Sequence, residues 1–270
     1  MTENGVFPTH ARQRVTRMPV HGVESPAYHV VAVDVVLFTI QDGSLKVLLV
    51  KRERPPFRGL WSLPGGFVRR DESVDEAALR ELQEETDITT VYLEQLYTFG
   101  DLDRDPRGRV IAVTYYAVVD WGQFQLKARA SATGGSLPAS RSQAKPAGAS
   151  GRTPASARWF SVNRLPTLAF DHRKIVGSAL ERLRNKVNYT SVAFQLLPKT
   201  FTLPDLQRAY EVILGQRLDK RNFRKKMSQL GILKETGEQR LEGRQRPARL
   251  YSFTETRVIK LQEKGIIVPF

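Results

Sequence analysis

The sequence predicts an α/β chain of two domains joined by a helix. Three observations predict it: charge is divided unevenly along the chain, a β-hairpin runs into a glycine loop and a carboxylate-rich helix, and a terminal series of short helices closes on a second hairpin. A chain of 270 residues has room for two separate cores. Residues 30–126 carry 11 Lys and Arg against 16 Asp and Glu, whereas residues 186–270 carry 17 against 8. An acidic unit joined to a basic one suggests two different ligands, and the net charge of +14 suggests that one of them is a polyanion.

Composition also excludes chemistry. With no cysteine there is no disulfide framework, no thiolate zinc site and no thiol nucleophile, and the 4 histidines are scattered rather than clustered. Any metal is therefore expected to be held by oxygen. No run of about 18 apolar residues is present, and residues 1–28 lack the charged start and apolar core of a signal peptide, so a soluble, cytoplasmic protein with no membrane partner is expected.

Residues 1–28, with Pro8, Pro19 and Pro26 and no apolar period, read as a flexible arm. The fold is expected to begin near His29. The apolar runs VVAVDVVLFTI and LKVLLVKR, separated by Asp42-Gly43, read as an antiparallel hairpin. WSLPGGFV reads as a loop leading into the helix SVDEAALRELQEET, where Ser73 and Glu76 form a capping box and Val74, Ala78 and Leu82 make an apolar stripe. Strands are expected at VYLEQLYTFG and VIAVTYYAVVDW. Residues 127–157 hold almost nothing that could form a core and read as a disordered, basic insertion within the first domain. WFSVNRLP returns as a strand. Apolar residues at 175, 176, 179, 180 and 183 then give a connecting helix over Lys174–Lys186. The remainder divides into helices near 190–197, 203–214 and 219–230, strands around 232–240 and 248–253, and a last helix near 254–264.

The chemistry of the acidic half lies between Gly66 and Ile88. On a helix Glu81, Glu84 and Glu85 share one face, and three carboxylates there call for a divalent cation or for arginines. Hard cations such as Mg2+ take oxygen ligands and bridge to phosphates. Gly65 and Gly66 allow a close approach of backbone to ligand. The segment resembles the Nudix box, G-x5-E-x7-R-E-U-x-E-E-x-G-U with U aliphatic: Gly66, Glu72, Arg80, Glu81, Glu84, Glu85 and Ile88 fall in register, and Asp87 stands at the last glycine. The resemblance implies an α/β/α sandwich around a mixed sheet, with a pocket for a nucleoside diphosphate linked to another group. By position it makes Glu81, Glu84 and Glu85 the metal ligands, and the catalytic groups where hydrolysis is retained, with Glu72 assisting and Arg80 holding the carboxylates. Asp87 leaves catalysis open, although Asp visits the left-handed conformation more readily than most residues.

In the basic half, Leu206, Tyr210, Ile213 and Leu214 form an apolar face and Gly215 suits the following turn. Asp219 caps a third helix in which Phe223, Met227 and Leu230 face the core. Lys220, Arg221, Asn222, Arg224, Lys225 and Lys226 remain outside, suited to base edges and phosphates in a major groove. The next hairpin carries Arg240, Arg244, Arg246 and Arg249 as a basic wing. The second domain is therefore read as a winged helix-turn-helix that binds double-stranded DNA.

Taken together, the box, the segment Ala169 to His172, the connecting helix and the winged helix resemble the Nudix-related transcriptional regulators of NAD metabolism, the NrtR family. The resemblance covers about residues 30–126 and 159–254. It implies a homodimeric repressor of NAD biosynthesis or salvage genes that binds a palindromic operator and is released by ADP-ribose. Arg52, Arg54, Phe170 and His172 join Gly65, Gly66, Glu72 and Arg80 as candidate effector contacts. The domains expected are an arm (1–28), an effector-binding domain (29–172), a connecting helix (173–187) and a DNA-binding domain (188–270). The alternative is an Mg2+-dependent ADP-ribose pyrophosphatase with an accessory basic domain, and a third reading is an RNA-cap or mutagenic-nucleotide hydrolase.

Overall fold

The structure is a computed structural model that describes residues 29–86, 88, 91–122, 157–187, 195–241 and 247–254. The arm at 1–28, the insertion up to residue 156, Asp87 and the last helix beyond Thr254 lie outside the described residues. So does the helix expected near 190–197, except for a single helical turn at 195–196.

Strands β1 (Val30–Gln41) and β2 (Ser44–Lys51) form the expected hairpin, with Asp42 at φ 52° and Gly43 at φ 66° in the turn. Two consecutive left-handed residues match the strand twist, which is why Asp-Gly suits this position. WSLPGGFV contributes more than a loop: β3 (Trp61–Ser62) pairs with β2, and β4 (Gly65–Phe67) pairs with β1. Helix α1 (Val74–Thr86) follows, capped reciprocally by Ser73 and Glu76. Strands β5 (Glu94–Phe99), β6 (Val110–Val118) and β7 (Ala157–Ser161) complete the sheet, in the order β3-β2-β1-β6-β5 with β4 beside β1 and β7 beside β2. Only β1 and β6 run parallel among these pairings, so the sheet is mixed.

Strand β1 is apolar at its buried positions, Asp34 and Thr39 apart, because both its faces are covered. Val33, Val35 and Leu37 pack with Ala77, Ala78 and Leu82 of α1. Val36 and Phe38 point the other way, into the cluster holding Ile175, Val176, Ala179 and Leu183 of α2 (His172–Val187). Two helical layers thus enclose one sheet in an α/β/α sandwich.

That second cluster does not stop at the sheet. It continues through Leu196, Phe201, Leu206, Tyr210, Ile213, Phe223 and Met227, the interior of the basic half. There β8 (Phe201–Thr202) leads into α3 (Leu203–Leu214), α4 (Lys220–Leu230), β9 (Leu233–Arg240) and β10 (Ala248–Phe253), with sheet order β8-β10-β9. Thr202 and Asp205 form a capping box on α3, Gly215 ends it at φ 73°, and Asp219 caps α4 through the Asn222 amide at 2.8 Å. Helix α2 begins two residues before the expected Lys174, and β8 is an addition to the expected strands. No helix among the described residues is long and apolar enough to cross a membrane.

Because Leu183 is fully buried in this shared cluster, Leu183→Ala should cost about 2–5 kcal/mol. Trp61, Trp121 and Trp159 all belong to the sheet half, so tryptophan fluorescence reports that half while far-UV dichroism reports all the helices. Coincident denaturation curves, shifted together in the variant, are expected; well-separated transitions would show that the halves unfold independently.

Candidate functional site

A cavity of about 360 Å³ opens beside the N-terminal half of β1, with β4, α1, the 101–109 loop and the start of α2 around it. Glu81 and Glu84 form an acidic wall, and Arg52, Arg54, Arg69, Arg104 and Arg107 supply cations. Phe67 and Phe170 add aromatic surface, and Asp34, Gly65, Gly66, Asp105 and His172 also line it. A space with opposite charges and flat apolar surface suits a ligand carrying anionic, polar and planar parts.

Of the residues expected at the effector site, Arg52, Arg54, Gly65, Gly66, Phe170 and His172 come together here. Arg52 donates from Nε to the Pro56 carbonyl at 2.9 Å, and its guanidinium lies 4.7 Å from the Phe170 ring centroid. Arg54 is exposed at the cavity mouth. The glycines serve a tighter purpose than ligand approach: a Cβ on Gly66 would strike the Glu81 carboxylate, and one on Gly65 the Val33 carbonyl.

Glu72 and Arg80 stand behind the cavity rather than on it. Arg80 donates to both Glu72 oxygens at 2.8 and 2.6 Å, to Glu81 at 2.7 Å and to the Phe67 carbonyl at 3.2 Å. A guanidinium can fix several acceptors in one plane, so this residue sets the position of the acidic wall. The Arg80 hydrogen bonds hold the Glu72 carboxyl down from 4.5 to about 2, against a smaller opposing effect of burial.

The three box carboxylates have the oxygen chemistry that a hard cation needs, but they do not converge. Glu81 meets Arg80, Glu84 meets Arg69 at 3.1 Å and Arg80 at 3.7 Å, and Glu85 accepts from the Gly65 amide at 3.1 Å. Among the described residues no three carboxylate or imidazole groups are arranged to hold a metal ion. As they stand, arginines and a backbone amide satisfy this face.

On the other side of the cavity is a buried charged cluster. Arg104 donates to Asp171 at 2.8 and 3.1 Å and to Asp34 at 3.3 Å. Its side chain is 4% exposed, so such a cation is tolerable only when paired. His172 Nδ1 accepts from the Leu63 amide at 2.8 Å, while Nε2 lies 3.4 Å from Asp34 Oδ1. These partners assign the proton of a neutral ring to Nε2. Burial pushes the His172 pKa below 6.5, and the opposing pull of Asp34 and Asp171 does not restore it.

The basic half presents a second surface. On α4, Phe223 and Met227 are buried, while Lys220, Arg221, Asn222, Arg224 and Lys225 are exposed side by side. Arg240 is placed differently from the expectation of a DNA contact: it pairs with Asp205 at 2.5 Å, tying β9 to the start of α3. Arg249 pairs with Glu235 across the hairpin at 3.2 Å. Arg244 and Arg246 lie outside the described residues.

Sequence reasoning passed over Asp34, Phe67, Arg69, Arg104, Asp105 and Arg107. The dense charge of RDPRG, between two strands that need only a turn, was the available signal for three of them.

Comparison with known proteins agrees with this division. Residues 28–178 match the NUDIX domain model, and residues 193–253 match the model of the NrtR DNA-binding winged helix domain. The chain is 35% identical over 225 residues to the ADPR responsive transcriptional repressor NtrR of Acinetobacter baylyi, covering 82% of this chain and 80% of that protein. It resembles the crystal structure of Shewanella oneidensis NrtR complexed with a 27mer DNA, at a TM-score of 0.67 and 36% identity, over 85% of this chain and 95% of that one. An ADP-ribose pyrophosphatase of Methanocaldococcus jannaschii is 37% identical over 131 residues, which is 48% of this chain and 63% of that enzyme.

The buried neutral His172 makes stability depend on pH. The unfolded chain binds the proton more readily, so this contribution is complete above about 6.5 and is lost as pH falls toward the lower folded value, with a slope of at most about 1.4 kcal/mol per pH unit. Urea midpoints of the parent should therefore decline between pH 7.5 and 5 more steeply than those of His172→Asn. Parallel profiles would place the pH dependence elsewhere.

Proposed function

The chain belongs to the NrtR family of Nudix-type transcriptional repressors, and from that premise we propose that it represses genes of NAD biosynthesis or salvage until ADP-ribose fills the cavity. The observation that carries this reading is the single apolar cluster that joins the cavity domain, through α2, to the helix presenting Arg221 and Arg224. Effector binding and operator binding thus occupy two surfaces of one packed body.

The domains proposed are the effector-binding unit at 29–172, the connecting helix at 173–187 and the DNA-binding unit at 188–270, acting as a cytoplasmic homodimer. Two α4 helices related by a two-fold axis suit a palindromic operator with half-sites about 34 Å apart or a multiple of it. The proposed effector contacts are Arg52, Arg54, Phe170 and His172, with Arg104 added from the cavity wall. Should Mg2+ take part, Glu81, Glu84 and Glu85 are the residues that would hold it, after release from Arg69 and Arg80. The pyrophosphatase alternative leaves the basic half without a role, and the hydrolase relative matches only about half of the chain.

The coupling is proposed to start at Arg104. This guanidinium lines the cavity and also binds Asp171, the residue before α2. A 16-residue helix spans about 24 Å, and near its far end Arg184 donates to the Ile213 carbonyl at 3.0 Å, at the close of α3. Lys174–Asp101, Arg182 on the Leu96 carbonyl and Lys186–Glu94 hold the same helix against β5 and the loop after it. A pyrophosphate competes with Asp171 for Arg104, so ligand entry and the present seat of α2 oppose each other. Linkage then requires operator DNA and ADP-ribose to weaken each other's binding by the same factor.

Two measurements test this reading. On an NAD-gene promoter fragment with Mg2+ present, ADP-ribose should release the protein without first being consumed, and Arg221→Ala or Arg224→Ala should weaken operator binding roughly 5- to 150-fold. Affinity within about twofold of the parent for both variants would remove α4 from the interface. Asp171→Asn should still bind ADP-ribose and operator separately, yet lose most of a coupling expected at about 1–3 kcal/mol. Release of that variant at the parent's ADP-ribose concentration would rule out the Arg104–Asp171 route.

A further inference from the structure

The turn between α3 and α4 is held by side chains rather than by a backbone ladder. Helix α3 ends at Gly215, whose amide donates to the Glu211 carbonyl at 2.8 Å, and Asp219 then caps α4. Between them Gln216 and Arg217 are exposed, while Leu218 is half-buried and packs against the shared apolar cluster. Both backbone groups of Leu218 are taken by side chains of α3: its amide donates to Glu211 Oε1 at 2.9 Å, and its carbonyl accepts from Gln207 Nε2 at 3.0 Å. Gln207 Nε2 also donates to the same Glu211 oxygen at 3.0 Å. Because a carbonyl and a carboxylate can only accept, the amide nitrogen of Gln207 must be the end that faces them.

Residues 207 and 211 are one helical turn apart, so they project from one face of α3 and grip a single residue by its two backbone groups. That residue precedes the cap of α4, which leads straight into the exposed Lys220, Arg221 and Asn222. In a helix-turn-helix the first turn of the second helix is the part that meets base edges, so a tilt there displaces these side chains from the groove floor. Water satisfies the backbone of a surface turn nearly as well as a side chain does, so the clamp supplies definition more than stability. A carboxylate beside the start of a basic helix also works against binding of a polyanion, and its role in the turn must offset that cost.

We propose that Glu211, together with Gln207, is a positioning residue for sequence discrimination, fixing the first turn of α4 so that Arg221 and Asn222 meet base edges already aligned; the proposal rests on the operator reading above. Contacts to phosphate come from long, flexible cationic side chains and tolerate a loosened helix start. Bidentate contacts to base edges do not. Loss of the clamp therefore removes sequence preference while sparing affinity for arbitrary duplex, and loss of the Glu211 charge slightly raises the latter.

Fluorescence anisotropy of the full chain on an NAD-gene promoter fragment, and on a scrambled duplex of equal length and composition, tests it. Glu211→Ala should lower the promoter-to-scrambled affinity ratio roughly tenfold, the order of loss that one missing base contact produces, with the scrambled duplex bound no more weakly than by the parent. Gln207→Ala should lower the ratio in the same direction. Glu211→Gln, whose amide oxygen can accept both bonds, should keep the ratio within about twofold of the parent. Hydrogen exchange at the Leu218 amide, measured without DNA, should quicken in Glu211→Ala and not in Glu211→Gln. Should Glu211→Ala fail to fold, Gln207→Ala, which leaves the carboxylate in place, is the deciding variant. Equal weakening on both duplexes makes the pair a support for folding alone, and an unchanged ratio means that the turn aligns itself; either overturns the proposal and leaves the operator reading intact. A parent that does not prefer the promoter fragment overturns both.

Discussion

The apolar stripe of α2 is the contact on which both halves depend. Ile175, Val176, Ala179 and Leu183 cover one face of the sheet, and the same cluster runs on into Leu206, Tyr210 and Ile213 of α3. A helix with two independent polar ends would have been a tether. Here its burial makes the orientation of the basic half a property of the packed interior, and interiors packed at crystal-like density shift between discrete arrangements rather than bend continuously.

Charge is handled oppositely at the two ends of this body. Around the cavity, arginines and carboxylates are held against one another, as in Arg80 with Glu72 and Glu81, Arg104 with Asp34 and Asp171, and Arg107 with Asp105. A pre-paired lining keeps the apo protein stable and makes ligand binding an exchange of partners. On α4 the exposed cations stand together without such neutralisation on their own helix, which suits a phosphate backbone that supplies its own counter-charge. Arg240 belongs to the first kind although it sits in the second half, since Asp205 claims it.

Much of the fold was legible because its signals are local. Asp42-Gly43 specifies a hairpin turn, Ser73 and Glu76 cap α1 within four residues, and Asp219 caps α4. The spacing of Phe223 and Met227 was enough to separate the buried face of that helix from the charged one. The cavity was legible only on the wall built by α1 and the glycines. Its opposite wall brings Asp34, Arg104 and Asp171 together across separations of about 70 residues, and no periodicity encodes such a meeting. Strands β3 and β4 were hidden by Pro64 and the paired glycines, which read as loop, and β8 is only two residues long.

The ring pair Trp121 and Trp159 has a consequence for where this protein can be extended. The two indoles meet edge to face with centroids 6.1 Å apart, one just after β6 and the other within β7. They staple the chain where it leaves the sheet and where it returns, so the two points are held at a fixed separation. Closure entropy grows with the logarithm of length, about 0.6 kcal/mol for each doubling. Lengthening the chain between two ends held in this way costs little in closure entropy, so the same junction offers a place to graft a fluorescent or affinity module.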